Sequence, residues 1–287
     1  MNNLLKTTFF LALLTVLLIW IGGAIGGSSG ATFAFIFAIV MNIGAYWFSD
    51  RLVLSIYKAQ PTVKSKFPKL YDMVERLSSS ATIPMPKIYI VPTQTPNAFA
   101  TGRDPKHAVV AVTQGILNML SDDELEGVLA HEIAHIKNRD TLTQAVVATI
   151  AGTVSMIAYM ARWAAMFGGF GGRGGNRRGS GNLIGLLAMT IVAPIAAMLI
   201  QLAISRTREY QADATSADIG KKPLSLAHAL EKLQNANNRL PMGANNNTAH
   251  LFIVNPLSGK GLAKLFSTHP PLEDRIAKLE AMAVKSS

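Results

Sequence analysis

The sequence contains no cysteine and little charge. Without cysteine among its 287 residues, neither a disulfide framework nor a thiolate-bound structural metal can form, and a reducing compartment is compatible with the composition. Only 15% of the residues are charged, whereas 49% are hydrophobic, and the mean hydropathy is +0.28. Ordinary soluble domains carry about 25% charged residues. We therefore expect segments that are embedded in a membrane.

Charged residues are missing from three long stretches, of which the first covers residues 7–49. A helix needs only about 20 apolar residues to cross a bilayer. Because the turn-forming run at residues 26–30 divides this stretch, we predict a hairpin of two spans, Leu4–Ile25 and Thr32–Phe48. Two further uncharged segments complete a prediction of four spans: Thr141–Ala161 and Gly179–Ser205.

Two alternatives to four full spans stay open. The segment Leu4–Ile25 is also compatible with a cleavable signal peptide, although Thr32–Phe48 would still anchor the chain. The second pair of segments is also compatible with a hydrophobic hairpin that enters the bilayer only partly. By the positive-inside rule, the basic residues after the second span place residues 51–140 in the cytoplasm: Arg51, Lys58, Lys64, Lys66 and Lys69.

The net charge of +10 suggests a polyanionic partner, but no nucleic-acid recognition motif is visible. We therefore expect a lipid bilayer, and no nucleic acid, as the partner of the basic residues. The predicted organisation has four parts: a transmembrane hairpin at 1–50, a polar part at 51–140, a second hydrophobic hairpin at 141–205 with a Gly/Arg-rich loop at 168–181, and a polar part at 206–287.

The polar parts predict a mixed helix and strand domain. Short β-type runs separated by proline and glycine predict a small sheet of three strands, at Lys87–Val91, Asn97–Thr101 and Ala108–Thr113. Apolar periodicity and capping signals predict helices on either side of it, at Lys69–Ser79, Arg206–Ile219, Leu224–Asn235 and Leu272–Val284.

Residues 131–135 read His-Glu-Ile-Ala-His. Ser121 and Glu124 form a capping-box pattern upstream, so the motif is predicted to lie on a helix. Two histidines four residues apart lie on one face of a helix, where both imidazoles can bind a single zinc ion while Glu132 points towards its bound water. The motif therefore predicts a catalytic zinc site with His131 and His135 as ligands.

A catalytic zinc ion needs a third protein ligand in addition to water. The best candidate from the sequence is Glu209, at the start of a helix that follows the last hydrophobic segment. From spacing alone, an ion pair of a surface Glu209 with Arg206 or Arg208 explains this residue equally well. That alternative stays open on the residues alone.

Three motifs together resemble one protease family. They are the pentapeptide at 131–135, Arg-Thr-Arg-Glu-Tyr-Gln-Ala-Asp at 206–213 and Thr-His-Pro-Pro at 268–271. With the paired hydrophobic segments and the upstream run Asn-Ala-Phe-Ala-Thr-Gly at 97–102, this chain resembles the HtpX-type heat-shock membrane zinc metalloproteases, which are relatives of the CAAX prenyl proteases. The resemblance extends over nearly the whole chain.

The resemblance implies a role for several residues. It implies that Glu209 is the third zinc ligand, that Glu132 is the general base and that Asp213 supports a ligand histidine. It also makes His269 and Arg275 candidates for stabilising the oxyanion, although a proline-fixed loop residue and a solvated helix charge are the alternatives.

The residues Asn97, Ala98, Phe99 and Ala100 are predicted to form a strand beside the zinc. Such a strand can bind the backbone of a peptide substrate as one more strand of the sheet. Turn formation after Pro96 is the alternative for Asn97.

The predicted fold class is therefore α-helical membrane segments plus an α+β, zincin-like metalloprotease domain with one Zn²⁺ per chain. The resemblance implies a multi-pass protein of the bacterial cytoplasmic (inner) membrane that cuts misfolded or exposed segments of membrane proteins on the cytoplasmic side. Two alternatives are a non-catalytic membrane adaptor with a structural zinc ion, and a protease for prenylated C-terminal peptides.

Overall fold

The computed structural model describes residues 3–144, 146, 206–239, 253 and 270–286. Most of the predicted second hydrophobic hairpin, the whole Gly/Arg-rich loop and His269 lie outside the described residues. The described elements, in chain order, are α1 (Asn3–Ile56), β1 (Gln60–Pro61), α2 (Pro68–Ala81), β2 (Lys87–Val91), β3 (Ala98–Thr101), a 3₁₀ turn (Pro105–His107), β4 (Val109–Thr113), α3 (Gln114–Met119), α4 (Asp122–Lys137), α5 (Arg206–Gly220), α6 (Pro223–Arg239) and α7 (Leu272–Ser286).

The predicted fold class is confirmed, because the structure contains an apolar N-terminal helix, a small mixed sheet and the helix that carries the zinc motif. The helices predicted from periodicity occur where they were expected, and three of the four strands coincide with the predicted runs. The sequence did not predict β1, which is two residues long and contains Pro61, or α3, which is too short at six residues for periodicity to reveal.

The N-terminal element α1 is two helices joined at a break. Gly26 and Gly27 have non-helical backbone angles, and the positive φ of 62° at Gly27 is a conformation that glycine adopts without steric cost. The two halves pack side by side, and Asn42 Nδ2 in the second half donates to Thr15 Oγ1 in the first over 2.8 Å. The chain therefore turns back on itself at the glycine-rich run.

The second half of α1 has the properties of a membrane span. Among the described residues, Gly26–Phe48 is long and apolar enough to cross a bilayer, whereas Leu11–Trp20 is a shorter apolar helix. Large hydrophobic side chains project from both halves into open surroundings, including Val16, Trp20, Phe33, Val40 and Phe48. An apolar surface of this kind is expected of helices that face lipid.

The sheet has the strand order β1-β2-β4-β3. β2 and β4 are parallel, with Lys87 opposite Val109, whereas β1 and β3 are antiparallel to their neighbours. This order makes β3 an edge strand. Its register pairs Phe99 with Ala111 on β4.

The two faces of the sheet pack against different parts of the chain. Because side chains alternate along a strand, Ala98, Ala100 and Val110 face the main core, which α2, α4 and α6 complete. Phe99 and Val109 face the opposite way, into a smaller core formed with the end of α1. The sheet therefore lies between the N-terminal hairpin and the motif helix.

The motif helix α4 is buried on almost all sides. A Cβ atom on Gly127 would lie 2.6 Å from the backbone nitrogen of Leu226, so glycine is required where α4 and α6 approach most closely. α4 also contacts α5 extensively. This packing brings Glu209, far along the chain, next to the two histidines.

Candidate active site

The helix that carries the histidines begins with the predicted capping box. Ser121 Oγ accepts from the backbone N–H of Glu124, and Glu124 Oε2 accepts from the backbone N–H of Ser121 over 2.8 Å. From this start, four turns of helix carry His131 and His135 to a position where each is about 95% buried or more. The local sequence thus fixes the face on which the imidazoles meet.

Three side chains converge in this buried site. His131 Nε2 and His135 Nε2 are 3.2 Å apart, and the carboxylate oxygens of Glu209 lie 3.7 Å and 3.6 Å from them, respectively. A tetrahedral zinc ion with bonds of about 2.0–2.2 Å places its donor atoms about 3.3–3.6 Å apart. The two imidazoles and the carboxylate therefore fit a single zinc ion. They are the site's three predicted ligands.

The surface ion-pair alternative for Glu209 is wrong. Only 2% of this residue is exposed, and it lies at the histidines rather than in solvent. Arg208 is itself buried, and none of its guanidinium nitrogens has a hydrogen-bond partner within the described part of the chain. Burial lowers the pKa of Arg208, while the charges of Asp140 and Glu209 oppose this effect.

Asp213 lies beside His131, with its Oδ1 3.0 Å from His131 Nδ1. Arg275 donates to both oxygens of Asp213, from Nε over 2.8 Å and from Nη2 over 2.7 Å. Burial raises the pKa of Asp213, but the charge of Arg275 and its hydrogen bonds outweigh burial and lower the net pKa. For His131, burial is the largest effect and lowers the pKa, which favours the neutral imidazole that a metal binds.

Arg275 is fully buried and connects two acidic residues. Nε and Nη2 bind Asp213, whereas Nη1 lies 3.4 Å from Glu209 Oε2. The two carboxylates raise the pKa of Arg275 against the effect of burial. Nη1 makes no hydrogen bond to any group in the described residues. The helix α7 thereby connects Asp213 and Glu209, which lie one turn apart on α5.

The second histidine has a partner that sequence reasoning missed. His135 Nδ1 forms a hydrogen bond of 3.0 Å with Asp140 Oδ2. Burial alone lowers the pKa of His135, but Asp140 and the charge of Glu209 outweigh it and raise the pKa to about 9. One signal in the sequence could have found Asp140: a ligand imidazole usually donates its other N–H to a carboxylate, and Asp140 is the nearest acid after the motif.

Glu132 is buried next to the edge strand. The backbone N–H of Ala100 donates to the carboxylate of Glu132. Burial and the charge of Glu209 raise the pKa of Glu132 to about 7, although the charge of His135 and this hydrogen bond act in the opposite direction. The carbonyl of Asn97 accepts from the backbone N–H of Thr113 on β4, so the backbone groups of Ala98 and Ala100 face the opposite edge, where the described residues place no further strand. That edge is directed towards Glu132.

The residues Asn97–Ala100 are all buried. The side-chain oxygen of Asn97 accepts from the backbone N–H of Ile253 over 3.3 Å, and the backbone N–H of Asn97 donates to Thr113 Oγ1. Phe99 packs on the end of α1 rather than towards the histidines. The structure thus places the backbone of this strand, rather than its side chains, beside the site.

Comparison with known proteins agrees with this site. Residues 64–283 match the sequence profile described as Peptidase family M48. A protease HtpX homolog of Syntrophobacter fumaroxidans is 56% identical over 283 residues, covering 98% of this chain and 100% of the relative. A protease HtpX homolog of Thermococcus sibiricus is 54% identical over 280 residues, with 97% and 96% covered.

A solved structure has a similar fold. The crystal structure of Ste24p from S. mikatae matches with a TM-score of 0.56 and 20% identity, over 94% of this chain. This chain spans 62% of the length of that protein. At this identity the likeness concerns the fold alone. The matched family profile, the near full-length relatives and the zinc site of His131, His135 and Glu209 together establish that this chain is a zinc metalloprotease of the HtpX type and belongs to peptidase family M48.

Proposed function

We propose that the chain is an integral membrane endopeptidase that hydrolyses peptide bonds in misfolded or exposed segments of membrane proteins. The observation that carries this proposal is the convergence of His131, His135 and Glu209 on one side of α4, with Glu132 buried between this cluster and the edge strand β3. A zinc ion held by the three ligands would act as a Lewis acid and lower the pKa of bound water to about 7.

Glu132 is the general base in this mechanism. It takes the proton of the attacking water and delivers it to the nitrogen of the leaving amine. A pKa of about 7 suits both steps, because the carboxyl group can accept and release a proton near neutral pH. The hydrogen bond from Ala100 holds the carboxylate beside the strand on which we place the substrate.

The substrate binds as an added strand along the edge of β3 that faces away from β4. The outward backbone groups of Ala98 and the carbonyl of Ala100 pair with the substrate backbone, which makes binding largely independent of side chains. Asn97 and Phe99 hold this strand in place, by contacts with Ile253 and with α1, respectively. His269 and Arg275 remain our candidates for stabilising the oxyanion.

The protein is multi-pass, with its active site on the cytoplasmic side of the inner membrane. The candidate span Gly26–Phe48 and the further uncharged stretches support several crossings, and the basic cluster after residue 50 supports the orientation. Residues 1–50 and 141–205 form the membrane hairpins, while 51–140 and 206–287 form the protease domain.

Two alternatives give different results in an assay. A structural zinc site has four protein ligands, whereas the cluster found among the described residues has three. A protease for prenylated C-terminal peptides would require the prenyl group, so cleavage of an unmodified internal peptide bond argues against it. Unmodified and prenylated peptides should therefore be tested side by side.

Glu132→Gln tests the proposal. The purified variant should bind zinc normally but lose about 10²–10⁴-fold in the rate of cleaving an unfolded polypeptide, because the base is removed and the ligands stay. Zinc content is measured in parallel, and Glu231→Gln, an exposed position on α6, is the matched control. Cleavage at the wild-type rate by Glu132→Gln would contradict the role of Glu132, and a wild-type protein that cuts nothing but prenylated peptides would contradict the proposed substrate.

A further inference from the structure

The helix that leaves the membrane continues directly into the protease domain. The candidate span ends at Phe48, and Asp50 and Arg51 are the first charged residues after the uncharged stretch. Without a break, α1 then carries Val53 and Leu54 into the small core on the outer face of the sheet, where both are buried. No linker separates this face of the domain from the membrane.

Two contacts connect the strand beside the active site to residues at or after the hydrophobic segments. The ring of Phe99 packs on Tyr57 from the end of α1, with the ring centroids 5.4 Å apart. Beyond the last residue of β3, the carbonyl of Gly102 accepts from Thr141 Oγ1 over 2.9 Å. Thr141 is the first residue of the second uncharged stretch. The position of β3 is therefore fixed relative to the end of α1 and to Thr141.

The height of β3 above the bilayer follows from the geometry of α1. At about 1.5 Å per residue, the helix rises about 5–10 Å between Asp50 and the residues that contact the sheet, Val53 to Tyr57. The headgroup layer on each side of a bilayer is about 5–8 Å thick. β3 and the adjoining Glu132 thus lie at the outer limit of the headgroup layer.

We propose, on the basis of the endopeptidase function above, that the preferred substrates are juxtamembrane segments, in which the cleaved bond follows a transmembrane span after as few as about five residues. The axis of a substrate span that packs against α1 lies about 8–10 Å from the axis of α1. The direct path from the exit of that span to β3 is therefore at most about 14 Å. An extended chain covers about 3.3 Å per residue, so five residues suffice.

A longer connection makes cleavage slower. Once the connection can span the path, the effective concentration of the cleavable bond at β3 falls roughly as the −3/2 power of tether length. Lengthening the tether from 8 to 32 residues therefore lowers the rate about eightfold. A site far above the membrane would give the opposite trend over short tethers.

The experiment uses the full-length enzyme, reconstituted in lipid vesicles with a series of single-span substrates. Each substrate has a Gly/Ser tether of 0, 4, 8, 16 or 32 residues between its span and one unfolded cassette that the enzyme can cut. A membrane-impermeant dye labels outward-facing tails, so that only these are counted. The same cassette as a free peptide, and Glu132→Gln enzyme, are the controls.

We expect cleavage to begin between 4 and 8 residues, to be fastest near 8 and to decline about eightfold by 32. A first cut only at 16 residues or more, or rates that are equal for all tethers, would overturn the juxtamembrane proposal. The free cassette separates this result from failure of the endopeptidase function itself. If wild-type enzyme leaves the free cassette intact, the proposed function fails; if it cuts the free cassette but not short tethers, only the present inference fails.

Discussion

The two histidines come from one helix, yet their supports differ in kind. His135 is held by Asp140, five residues further along the chain. His131 is held by Asp213 on α5, and Asp213 is in turn bound by Arg275 on α7. The environments also shift the pKa values of the two imidazoles in opposite directions: the pKa of His131 is lowered and that of His135 is raised.

This difference divides the site into a local half, formed by His135 and Asp140, and a long-range half, formed by His131, Asp213 and Arg275. The local half is complete as soon as the residues after the motif helix fold. The long-range half requires α5 to dock on α4 and α7 to pack against α5 and α6, which places the fully buried Arg275 between Asp213 and Glu209. We infer that zinc binding and folding of the domain are coupled mainly through the long-range half, because its carboxylates and arginine are all buried when the domain folds.

The largest effect is expected from Arg275→Met. Removing one member of a buried charge cluster leaves uncompensated charge, which typically costs about 3–5 kcal/mol. The variant should therefore unfold at lower denaturant concentration and bind zinc more weakly. Lys278→Met is the matched control on the exposed side of α7, where a cation–π contact with Tyr210 limits the loss to about 1 kcal/mol. Equal losses in the two variants would argue against the long-range half.

A smaller and more selective effect is expected from Asp140→Ala. Loss of a carboxylate that orients a ligand imidazole typically lowers metal affinity about 10–100-fold. After zinc is removed from both proteins, this variant should be destabilised less than Arg275→Met, because Asp140 faces the buried Arg208 without the two hydrogen bonds that join Arg275 to Asp213. Asp140→Asn is the matched control, since its amide oxygen can still accept from His135 and should restore part of the affinity. If the Ala and Asn variants bind zinc as tightly as wild type, Asp140 has no role in holding His135.

The same division explains how much of the site could be predicted from the sequence. The pentapeptide and the Ser121 capping box act within a few residues, so their helix and the facing imidazoles could be predicted directly. Spacing alone left Glu209 undecided between ligand and surface ion pair, because its role depends on the packing of α5 against α4. Asp140 was within reach of a local argument and was missed.

The fold could be predicted to a similar extent. Strands β2, β3 and β4 and the longer helices follow from periodicity and turn residues. Their order in the sheet, with β3 at the edge, is set by tertiary packing and leaves no local signal. The attachment of β3 to Tyr57 and Thr141 likewise depends on contacts between residues that are far apart in the sequence.

The most direct test of the site is the zinc content and zinc affinity of wild-type protein, Glu209→Gln and the exposed control Glu231→Gln, measured by competition with a chelator. The account predicts one zinc ion per chain for the wild type and for the control. It predicts loss of the metal in Glu209→Gln, because only two histidines remain to hold it. Unchanged zinc affinity in Glu209→Gln would contradict the three-ligand site on which the proposed protease mechanism rests.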